Sequence, residues 1–399
     1  MQVIRLTSVL ALALAMHATC PLALGDEEKL SEQDKAAKAA CTTIGADVTS
    51  PPSLPADYPV RSQGDFNACQ SYTATLMADS WLIKNKKVAA SYRTSPVASY
   101  FRFLKGKGAT LDSERLGDAF GGTPSSSLDV AIRPPGKACS NEALKDIDPE
   151  KFFDYSEQLR KCQVRYKALL ADASKNNKTV DDNARAALLN EAQCVIANEL
   201  KVKGLAYDSL QLAKLLESKH YGDILYDIID KACAKPGMEV ATDGMPALTE
   251  VSLYEQKKDA TGKFSYKLLP ENFSKIKKSV VDALSAGNPA AMAYCSKYLK
   301  TTDPEDLEMI YPPERPNAFA TYATTSKFDV PKLTEKCGPH VSPVTRREWH
   351  NGACMYLVHN SWGMDCKVYD ASRKKNCDKG KLWVRENELF ENIISVSTF

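Results

Sequence analysis

Beyond its first 25 residues the chain has no run of 18 or more apolar residues, so nothing after that point is long enough to cross a bilayer as a helix. It has no Cys-x-x-Cys, which removes the usual zinc ribbon and thioredoxin-type motifs. It has no His-Glu-x-x-His, no Gly-x-Ser-x-Gly and no glycine-rich phosphate loop. Zincin metallopeptidases, serine hydrolases with a nucleophile elbow and nucleotide-cofactor enzymes therefore have no footing, and no cofactor is expected. An excess of either charge is also missing: 52 Lys and Arg face 50 Asp and Glu, a net charge of +2. That balance gives no bulk electrostatic case for nucleic acid or a membrane surface. Histidine is scarce, at five residues. There is no internal repeat and no low-complexity tract.

What is present fits a folded protein: 399 residues, 44% hydrophobic and 26% charged, with a mean hydropathy of −0.34. That length allows one large or two ordinary domains with a sizeable core. Residues 1–25 read as a secretory signal, with Arg5, the apolar run 9–16 and the small-x-small site Ala23-Leu24-Gly25. The mature protein is then expected to be secreted or periplasmic and free of the membrane. Of twelve cysteines, Cys20 lies in that signal and eleven remain. An odd number in an oxidising compartment suggests one free thiol and up to five disulfides among the other ten.

Residues 26–50 read as a polar extension. Helices are expected at about 69–85, 96–105 and 125–132. From 148 to 238 the composition turns to Ala, Leu, Lys, Glu and Asp, with amphipathic helices expected at 149–174, 180–203, 207–219 and 221–234. After 239 strands are expected at 251–254 and 264–269, then a helix at 273–286 and an apolar strand at 290–294. Residues 340–346 and 353–362 read as a hairpin around Asn351-Gly352.

Two segments and one histidine suggest chemistry. In Arg61-Ser62-Gln63-Gly64-Asp65-Phe66-Asn67-Ala68-Cys69 a loop delivers a cysteine to the first turn of a helix, where unsatisfied N–H groups favour a thiolate. Gln63 could aim its carboxamide at an oxyanion beside the Cys69 N–H. In His359-Asn360-Ser361-Trp362-Gly363, Asn360 could hold a catalytic imidazole in one tautomer, shielded by Trp362. Alone, each segment is also what a buried structural cysteine or an ordinary strand end would give. His340 is the best-placed histidine. His359 should point to the face opposite Asn360, and His350 lies at the turn. A tight Asn351-Gly352 turn would set Asn360 opposite Pro343, so a bulge or a longer loop is needed to reach His340.

Taken together, Gln63-Gly64, Cys69, Tyr72, His340 and Asn360-Ser361-Trp362-Gly363 resemble, in order, the papain-like (C1) cysteine peptidases. Gly121-Gly122-Thr123-Pro124 looks like that family's Gly-Gly substrate-binding segment, and Ser285–Ala291 and Gly380–Val384 look like its later strands. The resemblance covers about 51–145 and 239–399. It implies an α+β fold of two lobes, a helical lobe at 51–147 and a β-barrel-like lobe at 239–399, interrupted by a helical insertion at 148–238. It implies a peptidase acting on a peptide or protein substrate. Cys69 and His340 would form a thiolate–imidazolium pair oriented by Asn360. Gln63 would help hold the oxyanion, and Gly121 and Gly122 would bind substrate backbone. Cys69 would then be the one unpaired thiol, with Cys366 and Cys377 the first guess for a disulfide.

The chain also departs from the family. The segment before the nucleophile is Phe66-Asn67-Ala68-Cys69-Gln70, so a customary cysteine is missing and Gln70 replaces a usual Trp. His340 follows Cys69 by 271 residues, where the family's spacing is about 130–150. The insertion is expected to act as a lid, chaperone or specificity element, or to be a passive surface addition. Two rivals stand beside the peptidase. One is a catalytically silent papain-like binding or adhesion protein; the other is a transglutaminase-like acyltransferase, which would prefer Asp where Asn360 stands.

Overall fold

The computed structural model describes residues 32, 35–39, 41, 53–64, 68–106, 123–133, 135–145, 149–176, 178–196, 207–217, 222–258, 264–300, 339–350, 352–390 and 392–399. Helices and antiparallel sheet are both extensive, which gives the α+β class. Among the described residues no helix is long and apolar enough to cross a membrane.

After the helical residues at 35–39 come α1 (Cys69–Lys84), α2 (Pro96–Gly106) and α3 (Pro124–Ala131). The start of α3 is written in the sequence: Thr123 caps it, Ser126 completes the capping box, and Pro124 takes a first-turn position where its missing N–H costs nothing. α1 is buried on nearly every side, including the polar Gln70, Ser71, Thr73, Thr75, Asp79 and Ser80. Several of these groups find partners on other segments. Ser71 Oγ meets Ser127 Oγ at 2.9 Å, Ser80 meets Ser53, and Thr73 Oγ1 donates to the Val341 carbonyl.

A short strand β1 (Lys137–Cys139) leads to α4 (Pro149–Lys175), α5 (Asp182–Cys194), α6 (Ser209–Glu217) and α7 (Gly222–Cys233). β2 (Glu239–Ala241) then returns to pair with β1, and Cys139–Cys233 is a disulfide at the same stem. α5 stops at Cys194; the rest of the helix expected to 203 is largely outside the described residues. The apolar side chains of this module, among them Leu159, Tyr166, Leu212 and Ile228, are continuous with Phe101, Phe103 and Leu128 of α2 and α3 in one buried cluster.

The remaining chain builds β3 (Thr249–Ser252), the ribbon β4 (Tyr254–Lys258) with β5 (Phe264–Leu268), α8 (Asn272–Ser285), β6 (Ala290–Cys295) and α9 (Ser296–Lys300). It continues with β7 (Pro339–His350), β8 (Ala353–His359), α10 (Ala371–Lys374), β9 (Cys377–Asp378), β10 (Lys381–Arg385), α11 (Glu386–Phe390) and β11 (Ile393–Thr398). Seven strands form one antiparallel sheet in the order β3-β11-β6-β7-β8-β10-β9. Its ends are β3 and β9, so the barrel-like lobe expected above takes the form of an open sheet, with no closed barrel among the described residues. Ile276, Val280 and Ala283 recur at helical spacing on α8 and pack into the sheet's own core with Met292, Tyr356 and Val358.

Three disulfides join described residues: Cys41–Cys354, Cys139–Cys233 and Cys366–Cys377, the last as expected. The cysteine arithmetic needs a correction. Cys69 is a thiol, but Cys162 and Cys194 also lie outside any disulfide. Cys162 is buried between α4 and α5, where loss of solvent and the Glu191 carboxylate push its pKa up to about 11.

Candidate active site

The N-terminal strap 53–63 runs between the helices and the sheet. Ser53 N donates to the Gly287 carbonyl, Lys381 Nζ to the Ala56 carbonyl, and Gln63 N to the Ser361 carbonyl at 2.8 Å. Ser62 and Trp362 form an isolated β-bridge, and Gly363 N donates to the Arg61 carbonyl. The turn after β8 is tight enough that a side chain at Gly380 would come within 2.1 Å of the Gly363 carbonyl oxygen. The strap therefore brings Gln63 to the Asn360-Ser361-Trp362-Gly363 turn.

Cys69 is the first residue of α1, as expected, while loop residues 65–67 are outside the described set. The backbone N–H groups of Val341, the residue after His340, and of Gln70 and Cys69 itself favour its thiolate form. The thiol lies 3.7 Å from Gln70 Oε1 as a donor. The nucleophile candidate is thus seated against the strand that carries the histidine.

His340 and Asn360 are joined by a 2.8 Å hydrogen bond between Nε2 and Oδ1. The hairpin explains how. Its turn is tight, since His350 pairs with Ala353, which alone would put Asn360 opposite Pro343. A bulge between Val344 and Arg346 takes Thr345 out of register and shifts the ladder by one. Ser342 then comes to Asn360, with its Oγ 3.2 Å from Oδ1, and His340, two residues on, shares that face. Of the two alternatives the sequence left open, the bulge is the one used.

The Asn360 amide is held at both ends. Its Oδ1 also accepts the Ser361 N–H at 2.8 Å, and its Nδ2 donates to Tyr369 Oη at 3.0 Å. Because Oδ1 accepts, His340 Nε2 carries the proton and Nδ1 is left as the basic nitrogen. Trp362 covers the ring, 4.9 Å between centroids, and Tyr294 meets it edge-on at 5.6 Å. Gln63 is buried, and its Oε1 accepts from Ser361 Oγ at 2.5 Å.

Electrostatics differ from the ion pair that the family resemblance implies. Burial pushes the Cys69 thiol up, only partly opposed by the N–H groups of Val341, Gln70 and Cys69. Burial pulls His340 down to about 4, opposed by the Asn360 bond and reinforced by the Lys300 charge. Loss of solvent therefore favours a neutral thiol at Cys69 and a neutral imidazole at His340.

Gly121 and Gly122 lie outside the described residues. His359 is on the opposite face of its strand, as expected; it is buried, with Nε2 3.2 Å from the Pro59 carbonyl and a pKa lowered to about 3 by burial. His350 stacks on Trp383 at 4.9 Å rather than standing in solvent. Among the described residues no group of three His, Cys, Asp or Glu could hold a metal ion.

One supporting cluster was missed in the sequence. Asp79 on α1 is fully buried and accepts from Tyr58 Oη at 2.5 Å and from the Thr94 N–H and Oγ1 at 2.9 and 2.6 Å. Arg61, two residues before Gln63, donates to the Thr94 carbonyl, Thr75 Oγ1 and Tyr58 Oη. This network fixes the strap on α1. Its signal was an acidic residue on the helix stripe of Tyr72, Leu76 and Ile83, where a buried carboxylate needs partners.

No family model matches the chain, and no curated protein matches it. Among solved structures it is similar to the crystal structure of PepW from Lactobacillus rhamnosis HN001 (DR20), determined as the selenomethionine derivative. The identity is 12% and the TM-score 0.36, over 90% of this chain and 83% of that chain.

Proposed function

We propose that the chain is a papain-like cysteine peptidase, exported to the periplasm or beyond the cell, that hydrolyses peptide bonds with Cys69, His340, Asn360 and Gln63. The observation that carries this reading is the 2.8 Å His340–Asn360 bond on a strand whose Val341 carbonyl accepts from Thr73 Oγ1 of the helix that begins at Cys69. Three disulfides support an oxidising compartment. In this reading 51–147 and 239–399 form the catalytic unit, residues 148–238 are an insertion rooted at the β1–β2 stem, and Gly121 and Gly122 bind substrate backbone.

The mechanism starts from the neutral pair. As the sulfur attacks the scissile carbonyl carbon, its proton passes to His340 Nδ1, and Asn360 stabilises the imidazolium through Nε2–H. The carbonyl oxygen becomes an oxyanion that accepts from the Cys69 N–H and the Gln63 side-chain amide, whose own oxygen is already occupied by Ser361. The C–N bond breaks, and the Nδ1 proton goes to the leaving amine. Water, deprotonated by His340, then cleaves the thioester and restores the thiol.

The raised thiol pKa and the Gln70 oxygen beside it favour the second reading, a catalytically silent papain-like binding protein. Peptide-library cleavage by wild type beside Cys69→Ala separates the two. Cleavage by wild type that is lost in the variant supports the peptidase. No cleavage by either, or equal cleavage by both, overturns it.

A further inference from the structure

We propose that Lys300 makes the site select substrates that carry a carboxylate on the leaving-group side of the scissile bond. The inference rests on the peptidase reading above and names its substrate class. Lys300 ends α9, where its carbonyl accepts the Asp370 N–H at 2.9 Å, so its backbone is tied to the segment that follows the Trp362 turn. Its ammonium lies 5.1 Å from the centroid of the Trp362 ring, and that ring lies 4.9 Å from the His340 ring. Cation, indole and imidazole therefore stand in sequence.

The order gives the side of the substrate that is read. His340 must hand its proton to the leaving amine, so the leaving segment passes the imidazole and continues over the indole beside it. There it meets the Lys300 charge. Lys300 is exposed, and among the described residues no carboxylate lies within ion-pair distance of it. The nearby acids have other partners: Asp370 caps α10 through the Ser372 and Arg373 N–H groups, and Asp365 pairs with Lys367. The same cation opposes protonation of His340. A substrate carboxylate that neutralises Lys300 would make the imidazole a better proton acceptor as well as binding the leaving segment.

The carboxylate has two sources, a Glu or Asp side chain or the free C-terminus of a short leaving segment. The test compares kcat/KM for matched peptides with Glu or Gln in the first two leaving positions, all C-terminally amidated, and for short-tailed peptides ending in a free acid or an amide. An acid-over-isostere preference of about fivefold in either arm is expected, the scale of an exposed ion pair, and the arm that shows it identifies the source. In Lys300→Gln the ratio should fall to about one, and in Lys300→Glu it should invert. Cleavage by wild type without a preference, or a preference that survives Lys300→Gln, overturns the role of Lys300 and leaves the peptidase reading standing. If wild type cleaves no peptide and Cys69 ignores an epoxysuccinyl probe, the peptidase reading fails and this inference fails with it.

Discussion

Val341 ties β7 to the helix that carries Cys69: its carbonyl accepts from Thr73 Oγ1, one helical turn beyond Cys69 on α1, at 3.1 Å. This bond registers helix and strand against each other. Thr73→Val keeps the shape but leaves a buried carbonyl unsatisfied. The expected cost is about 1–3 kcal/mol of stability, with a larger fall in kcat than rise in KM as α1 shifts against β7. Thr73→Ser should restore both. Equal activity per folded molecule in Thr73→Val would remove this contact from the account.

Asn360→Ala removes the acceptor that fixes His340 Nε2–H and unsettles the Tyr369 and Ser361 contacts. We expect kcat to fall by about 10²-fold or more with KM within a few-fold, measured at saturating peptide. A loss confined to KM would place Asn360 in substrate binding instead.

The neutral-pair chemistry has a pH signature. With His340 near 4, the acid limb of kcat/KM should lie near pH 4, below which the imidazolium cannot take the thiol proton. Alkylation of Cys69 by iodoacetamide should lack a fast plateau at pH 5–7, because burial keeps the thiol protonated there. A plateau in that range would show a standing thiolate–imidazolium pair.

Stability follows from the same shift. His340 binds its proton less readily folded than unfolded, so its contribution is complete above its usual pKa of 6.5 and is lost as pH falls toward about 4. Fully realised, that is about 3 kcal/mol. Urea midpoints of wild type and His340→Gln should therefore converge by that order between pH 7 and pH 4. Parallel curves would mean that His340 titrates normally.

Asp79→Ala should be the most damaging of these changes, at about 3–5 kcal/mol. It strands Tyr58 Oη and the Thr94 N–H and leaves Arg61 without its nearby buried acid. Tyr58→Phe, which removes one donor, should cost less. Thermal unfolding measures both, and a near-neutral Asp79→Ala would contradict the anchoring role of the strap.

Much of this was legible in the sequence because local signals agreed with the fold. Thr123-Pro124 starts a helix, β7 and β8 form the hairpin with His350 paired to Ala353, and Ile276, Val280 and Ala283 mark the buried stripe of α8. Three features were not legible. The bulge at Thr345 depends on how β7 satisfies both β6 and β8, a contest no local window contains. The buried polar face of α1 depends on small hydroxyl groups finding partners on other segments, as Ser71 finds Ser127. Counting cysteines could not tell that Cys162 and Cys194 stay outside disulfides, because pairing is decided by distance rather than number.

The central claim is that one sulfur, Cys69, is the nucleophile and that His340 activates it. The most direct measurement is peptide mapping after reaction with an epoxysuccinyl probe, on wild type and on His340→Ala, with circular dichroism to establish that both are folded. The expected result is a single adduct on Cys69 in wild type, slowed at least tenfold in His340→Ala, with Cys162 and Cys194 unlabelled. An adduct on Cys162 or Cys194 in preference to Cys69, or labelling of Cys69 that ignores the loss of His340, would contradict it.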